Sequence, residues 1–400
     1  MSLGHAVRGG GGRWVLLANG YGPLGWLRRL CASLKFPDSM DPIAHTLAGA
    51  TMAQTRLKQT TPLATATLII GANAPDIDAV LTLAGSDASL LYRRGLTHGI
   101  GALIVLPLVL TALMCGYDRI FRRRGDSEKK PVRPGMVYLL GVLGVASHLF
   151  LDWLNTYGIR LLTPFDDRWF YGDLLFIADP WMWLLLAAAA VFAYSGSKIS
   201  QGLWAALGLL LTAVVLLAPQ VPWPAAVVWL VGLATIVAVR WHGVSPGQNQ
   251  RVALVCLTAV FVYLAATMAG NQIAGNTVVD ELPNEPVARA DLMSGPVPAN
   301  PFVREVVAAT DTHYYGIRVD LLDGLRTEQF FDPIPIEEPG DVVKQALQDD
   351  SIRGFVNWMR FPTYEVRNLD EGQEVIIRDL RYVSPDREDA EFGMVRVTVP

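Results

Sequence analysis

Cysteine is scarce in this 400-residue chain, which contains only Cys31, Cys115 and Cys256. The three are far apart in sequence and none forms a CxxC pair, so neither a disulfide framework nor a thiolate zinc site is indicated. We expect them to be apolar core residues. Charged residues are also few, at 18% of the chain, and the formal net charge is -4 without a basic helix face. This composition argues against a nucleic-acid partner.

Apolar residues are abundant instead. Hydrophobic residues make up 52% of the chain and the mean hydropathy is +0.31, which indicates a membrane protein. Six apolar runs predict helices that span a bilayer: 97–116, 135–154, 179–195, 202–219, 222–240 and 251–270. Two weaker segments precede them. Residues 42–55 are few for a span, and polar residues interrupt 62–83, which predicts a broken or re-entrant element.

The connections between these runs predict how the helices are oriented. Residues 118–134 are dense in lysine and arginine, and short cytoplasmic loops carry that excess. Alternating the helices from this anchor places residues 155–178 and 271–400 on the outer side. The helix ends that carry histidine and aspartate therefore share the outer membrane face.

Composition divides the chain into three parts. Residues 1–39 are too broken for a spanning helix, so we interpret them as an unstructured leader or a misassigned start. Translation from Met40 is a hypothesis that N-terminal sequencing of the native protein would test. Residues 40–270 form the predicted helical membrane domain, with the candidate site in 40–185. In 271–400, alternating apolar and polar residues predict strands with one or two helices, preceded by a linker over 271–300.

The predicted fold is therefore a mainly α polytopic membrane protein. It has about six spanning helices plus a short or re-entrant N-terminal helical pair. An extracytoplasmic soluble α+β domain follows at the C-terminus.

The segment SHLFLDWLNTYG carries the strongest chemical signal. His148 and Asp152 lie four residues apart at the end of a predicted helix, so both side chains project from one face. Imidazole nitrogen and carboxylate oxygen are good ligands for a divalent metal such as zinc, and two ligands one turn apart suit one ion. The alternative is a capping or membrane-interface pair without a metal.

Three further positions place ionisable residues at breaks in apolar sequence. Asp76 and Asp78 of NAPDID crowd a helix start, where Pro75 fits the first turn. Because they are two residues apart they point in different directions, so Asp78 would bind a second metal or orient a ligand. His98 in RRGLTHGI and His45 in DPIAHTLAGA stand among small residues that allow close approach. A capping or surface role is the alternative for each.

Taken together, these residues predict one metal centre at the outer face, because ionisable side chains at the hydrocarbon boundary are costly unless they serve chemistry. The predicted metal ligands are His45, Asp76, Asp78, His98, His148 and Asp152. Asp173 and Asp179 are expected to orient histidine rings. Arg94, Arg160 and Arg168 are expected to hold an anionic headgroup, with interfacial anchoring as the alternative.

These residues lie in the motifs MDPIAHTLAGA, PDID, RRGLTHG, SHLFLDWLNTYGIRLLTPFDDRWFYGD and IADPWMW. In order and spacing the motifs resemble those of the membrane-bound metal-dependent hydrolases, also called LexA-binding, inner-membrane-associated hydrolases. The resemblance covers about residues 40–185. It implies a bacterial inner-membrane protein with a hydrolytic metal centre at the six predicted ligand positions. A cytoplasmic repressor could not touch an outer domain, so the LexA partner is not carried over.

A divalent cation held by such ligands with one position open would acidify a bound water near neutral pH. Zinc is the first candidate, with manganese or magnesium as alternatives, and Asp76 and Asp152 are assigned catalytic roles. We therefore predict a membrane-embedded hydrolase of an ester or phosphoester, with a lipid-linked substrate reached from the bilayer. Two alternatives stay open: a scaffold or binding protein with a structural metal, and an ion transporter, which the scarcity of polar residues in the later helices disfavours.

Overall fold

The computed structural model describes residues 41–126, 128–218, 221–282, 287, 291–383 and 392–400. The predicted leader, the Met40 hypothesis and Cys31 therefore lie outside the described residues. The helices of the described part, in chain order, are α1 (Pro42–Gln54), α2 (Ala64–Gly71), α3 (Ser86–Tyr92), α4 (Ala102–Tyr117), α5 (Pro134–Trp153), α6 (Pro180–Tyr194), α7 (Lys198–Leu217), α8 (Trp223–His242), α9 (Pro246–Glu281), α10 (Asp341–Ala346) and α11 (Arg353–Trp358).

Six helical segments among the described residues are long and apolar enough to cross a membrane, which confirms the predicted number. One of them, Ala64–Ala84, consists of α2 and a 3₁₀ helix, Ala74–Ala84, that meet at residues 72–73. This break agrees with the predicted interruption. The run predicted as a span at 179–195 forms α6, which has only 15 residues. At about 1.5 Å per residue, α6 is shorter than the roughly 30 Å hydrocarbon layer.

Helix α9 continues well beyond its predicted end at residue 270. It has 36 residues, so the predicted linker begins as helix and not as irregular chain. The cause is apolar burial, because Ala274 and Val278 pack against Val306 and Ile317 of the C-terminal domain. At about 1.5 Å per residue this helix is roughly 54 Å long, which exceeds the hydrocarbon thickness. Its last turns therefore carry the C-terminal domain.

The C-terminal domain combines two antiparallel sheets with short helices, which confirms the predicted α+β class. The strands are β1 (Leu292–Val297), β2 (Asn300–Ala309), β3 (His313–Asp320), β4 (Arg326–Pro335), β5 (Pro362–Asn368), β6 (Gln373–Asp379) and β7 (Met394–Val399). Both sheets follow chain order, β1-β2-β3-β4 and β5-β6-β7. Alternating side chains of β6, including Val375 and Ile377, pack on Trp358 of α11 in one core.

The connection between α5 and α6, residues 154–179, joins the two parts of the molecule. Tyr157 of this connection belongs to the same core as Trp358. Arg381 donates a hydrogen bond to the carbonyl oxygen of Thr156 at 2.9 Å, and Arg360 pairs with Asp173 at 2.7 Å. The C-terminal domain is therefore braced against the ends of α5 and α6, where the candidate site lies.

Candidate metal centre

The predicted ligands come from separate elements that meet near the end of α5. His45 is in the first turn of α1, and His148 and Asp152 are in the last turns of α5. Asp76 lies at the start of the 3₁₀ helix, and His98 lies in the turns before α4. His98 and His148 are fully buried, and His45 and Asp152 are 2% exposed. Burial of four ionisable residues together requires that they compensate one another or bind an ion.

Three imidazole rings converge on the carboxylate of Asp152. Its Oδ1 lies 3.2 Å from Nε2 of His45, and its Oδ2 lies 3.1 Å from Nε2 of His98 and 3.3 Å from Nε2 of His148. The Nε2 atoms of His98 and His148 are 3.2 Å apart. The rings of His45 and His148 stack with their centroids 3.9 Å apart. Ring nitrogens and carboxylate oxygens therefore share one small volume.

These separations fit ligand atoms around a divalent ion. In a tetrahedral zinc site with metal–ligand distances of about 2.0–2.1 Å, the ligand atoms lie roughly 3.3 Å apart. Buried polar atoms normally have hydrogen-bond partners. Oδ2 of Asp152 and Oδ1 of Asp76 are buried and have none among the described residues. Nitrogen and oxygen donors in this arrangement suit a borderline cation such as zinc.

Two of the rings are held so that Nε2 faces inward with a lone pair. Nδ1 of His148 lies 2.7 Å from the carbonyl oxygen of Ala72, which can only accept a hydrogen bond. Nδ1 of His98 lies 3.2 Å from Oδ2 of Asp78. In both residues Nδ1 therefore carries the proton, and Nε2 is left to bind a cation.

The two aspartates of the 3₁₀ helix occupy different places. Oδ1 of Asp76 lies 4.0 Å from Nε2 of His148, and the Asp76 side chain is 18% exposed, against 3% for Asp152. Asp78 lies behind His98 and accepts hydrogen bonds from the Thr97 hydroxyl at 2.6 Å and from a backbone N–H at 3.0 Å. Asp76 thus reaches the centre, whereas Asp78 contacts the outer nitrogen of a ligand ring.

Two groups of described residues could hold a metal ion, with ligand atoms within 4.8 Å of one another in each. One group consists of His45, His148 and Asp152, and the other of Asp76, His98 and His148. Five of the six predicted ligands are therefore in these groups. Asp78 is the exception.

The three arginines predicted to hold a headgroup differ in position. Nη2 of Arg94 lies 3.5 Å from Oδ1 of Asp152, so this guanidinium touches a candidate ligand. Arg160 is buried and donates hydrogen bonds to the backbone carbonyls of residues 91 and 93. These hydrogen bonds link two connecting segments of the chain. Arg168 is 73% exposed in its side chain and pairs with a neighbouring aspartate. Of these three arginines, only Arg94 contacts a candidate ligand in the described part of the chain.

Asp173 and Asp179 have partners other than histidine rings in the part of the chain that is described. Asp173 accepts from Arg360, and burial raises the pKa of Asp173. Asp179 caps α6 by accepting from the backbone N–H of Trp181 at 2.9 Å, and it also accepts from the hydroxyl of Tyr263 at 2.8 Å. Burial raises the pKa of Asp179 to about 6. The hydrogen bonds of both residues support the protein framework.

Sequence reasoning missed Asp41 and Asn155. Asp41 caps α1 by accepting from the backbone N–H of Ala44 at 3.0 Å, and burial raises its pKa to about 7. Asp41 and Asn155 line a cavity of about 30 Å³ that also borders His45 and Asp152. An aspartate directly before a proline at a helix start is an N-cap pattern, so the sequence contained a signal for Asp41.

Comparison with known proteins extends the structural result. Residues 40–237 match the sequence profile of the YdjM inner membrane protein family. The uncharacterized protein YfhP of Bacillus subtilis (strain 168) is 22% identical over 317 residues, which cover 79% of this chain and 76% of that protein. That alignment is longer than the profile match and so includes further parts of the chain. No solved structure matches. The chain is thus a multi-pass membrane protein that is similar, over just under half of its length, to the YdjM inner membrane protein family.

Proposed function

We propose that this protein is a membrane-embedded, metal-dependent hydrolase of an ester or phosphoester. The observation that carries the proposal is the convergence of His45, His98 and His148 on the buried carboxylate of Asp152, with nitrogen–oxygen distances of 3.1 to 3.3 Å. Oδ1 of Asp76 and Oδ2 of Asp152 are buried and have no hydrogen-bond partner among the described residues, which is the state expected of ligand atoms. A bound divalent cation, zinc as the first candidate, would satisfy them.

The shared histidine favours a single ion. His148 belongs to both candidate ligand groups, and its Nε2 offers one lone pair, so it can serve only one cation. We therefore treat the two groups as one centre that shares His148, in which His45, His98, His148 and Asp152 would be the ligands. Asp76 stands at the edge of this centre.

A divalent cation in such a centre supplies Lewis acidity that makes water a nucleophile near neutral pH. Asp76 would act as the general base, because it is the most exposed carboxylate of the cluster and its Oδ1 has no hydrogen bond among the described residues. Asp152 would be a ligand of the cation. Asp78 orients His98 through Nδ1. This assignment makes Asp78 a support for a ligand and not a ligand itself.

Apolar surface near Asp76 supports a lipid-linked substrate. Ile77, Val80 and Leu83 follow Asp76 on the same 3₁₀ helix and are 71%, 62% and 87% exposed. In a spanning segment, exposed side chains of this kind face hydrocarbon. A substrate with an acyl or isoprenoid chain could therefore approach Asp76 from the bilayer. The basic segment 118–134 would lie in the cytoplasm, with the C-terminal domain outside the inner membrane.

Substitution of Asp76 tests the proposal. In the full-length protein purified in nanodiscs, Asp76→Asn should retain the metal and lower kcat by about 10² to 10⁴ on chromogenic phosphodiesters or esters, because proton transfer is lost. Asp323→Asn, in an exposed turn of the C-terminal domain, is the matched control. A metal-loaded wild-type protein without turnover on either ester class would reject the hydrolase and favour a scaffold with a structural metal.

A further inference from the structure

Arg94 is a buried arginine whose guanidinium group has hydrogen-bond donors without a close acceptor among the described residues. It is 2% exposed. Its Nη1 donates to Oδ1 of Asn155 at 3.2 Å and to the carbonyl oxygen of Gly158 at 2.8 Å. Its Nη2 has only a long 3.5 Å contact with Asp152, and its Nε has no acceptor among the described residues. Since buried guanidinium donors are normally paired, these two nitrogens suit an anion that binds beside the metal centre.

An aromatic ring holds the guanidinium from one side. The Cζ atom of Arg94 lies 4.3 Å from the ring centroid of Tyr157, a cation–π geometry. Tyr157 is only 4% exposed. Its ring therefore restricts the position of the Arg94 side chain next to Asp152.

The C-terminal domain holds Tyr157 in turn. Nε1 of Trp358 donates to the carbonyl oxygen of Tyr157 at 3.0 Å, and the two rings lie 5.1 Å apart between centroids. Trp358 is fully buried. The backbone that carries Asn155, Tyr157 and Gly158 is thereby tied to the domain. The C-terminal domain therefore contacts this backbone at Thr156 and Tyr157, next to the groups that bind Arg94.

We infer that Arg94 is the anion-binding group of the centre and that Tyr157 and Trp358 are positioning residues that hold it in place from the C-terminal domain. The inference rests on the function proposed above and narrows the substrate class to phosphoesters. The Nε and Nη2 groups lie on one edge of the planar guanidinium and match two oxygens of a phosphate group; Nε has no acceptor among the described residues, and Nη2 has a 3.5 Å contact with Asp152. A neutral carboxylic ester offers no such charge. The C-terminal domain is then part of the phosphate site.

Binding of inorganic phosphate to the zinc-loaded, full-length protein in nanodiscs tests this inference without requiring turnover. Isothermal titration should show that Arg94→Gln weakens phosphate binding about 100-fold and Arg94→Lys about tenfold, because lysine keeps the charge but not the planar pair of donors. Tyr157→Leu should weaken phosphate binding about tenfold, and Tyr157→Phe, which keeps the ring, by less than twofold.

Phe165→Leu is the control. It removes an aromatic ring from the same connection, at a side chain that is 87% exposed. Its phosphate affinity should stay within twofold of wild type. Zinc content and melting temperature are measured for every variant, so that loss of fold is separated from loss of the anion site. If Tyr157→Leu does not fold, the comparison of Arg94→Gln with Arg94→Lys decides.

The outcomes separate the two proposals. If zinc binds but phosphate affinity is unchanged in Arg94→Gln, or changes equally in Tyr157→Leu and Phe165→Leu, the inference is wrong while the hydrolase proposal stands. If the wild-type protein binds no divalent metal, the proposed function fails and the inference fails with it.

Discussion

Helices α5, α7 and α8 are equally long and apolar enough to span a membrane, but they differ in how much of each is buried inside the protein. Each has 20 residues, but 39% of the α5 window is buried, against 11% in α7 and in α8. Helix α5, the more buried of the three, carries His148 and Asp152 in its apolar stretch. In α7 and α8 the ionisable residues stand at the helix ends. Ionisable groups are tolerated where neighbouring helices exclude lipid, which favours the more buried helix as the place of the candidate site.

The sharpest test of this contrast compares two histidines. His148→Ala removes a central candidate ligand and should weaken zinc binding by about 10² to 10³, because four ligands share a binding free energy of roughly 10–16 kcal/mol in structural zinc sites. His242→Ala, at the exposed end of α8, should leave affinity unchanged. Competition titration of zinc against a chelator gives both values. Equal affinities for the two variants would place the metal elsewhere.

A second test compares a buried ion pair with an exposed ion pair in the C-terminal domain. Arg381 and Asp379 form a fully buried ion pair at 2.7 Å. Arg381→Met leaves a buried carboxylate uncompensated and should lower the free energy of unfolding by about 3–5 kcal/mol. Arg326→Met, in a 72% exposed pair, should change it by less than about 1 kcal/mol. Denaturant unfolding followed by tryptophan fluorescence measures both, and similar shifts would contradict the burial argument.

A third test asks whether Asp78 supports the ligand His98 or is itself a metal ligand. Asp78→Asn removes the carboxylate that accepts from Nδ1 of His98. Zinc affinity should fall about 10- to 100-fold, the range for outer partners of metal ligands. Asp126→Asn, in the basic loop, is the control. A loss as large as that of His148→Ala would instead identify Asp78 as a ligand.

A fourth test concerns the contact between helices α7 and α8. Nε1 of Trp229 in α8 donates to the hydroxyl of Thr212 in α7 at 3.1 Å. Thr212→Val keeps the shape and removes the acceptor, which should cost about 1 kcal/mol of unfolding free energy. Zinc affinity should not change. A changed zinc affinity would show that the α7–α8 pair is coupled to the centre.

A fifth test concerns pH. Burial raises the pKa of Asp179 from 3.8 to about 6, so the folded protein holds this proton more tightly than the unfolded chain. The contribution of Asp179 to stability is therefore fully present below about pH 4 and is lost as pH rises through 6. Asp179→Asn cannot ionise and should flatten this decline, by a few °C in melting temperature between pH 4 and 7. Parallel melting curves for variant and wild type would exclude this contribution.

The membrane part was largely predictable because apolar runs report directly on transfer to lipid. The number of spans and the break near Asp76 agree with the structure. The extension of α9 to Glu281 was not predictable from hydropathy. It depends on side chains such as Val278 that are buried by strands far along the chain. Hydropathy reports on lipid contact but not on contact with another domain.

For the candidate centre, the sequence by itself determined the kind of residues and their local spacing. The i, i+4 pair of His148 and Asp152 faces one way in any helix. Only the tertiary structure decided that His45 and His98 join this pair, that Asp78 lies behind a ring, and that Arg94 is held through Tyr157 from the C-terminal domain. Spacing along a helix is a local property of the backbone. Convergence from separate elements depends on how those elements pack.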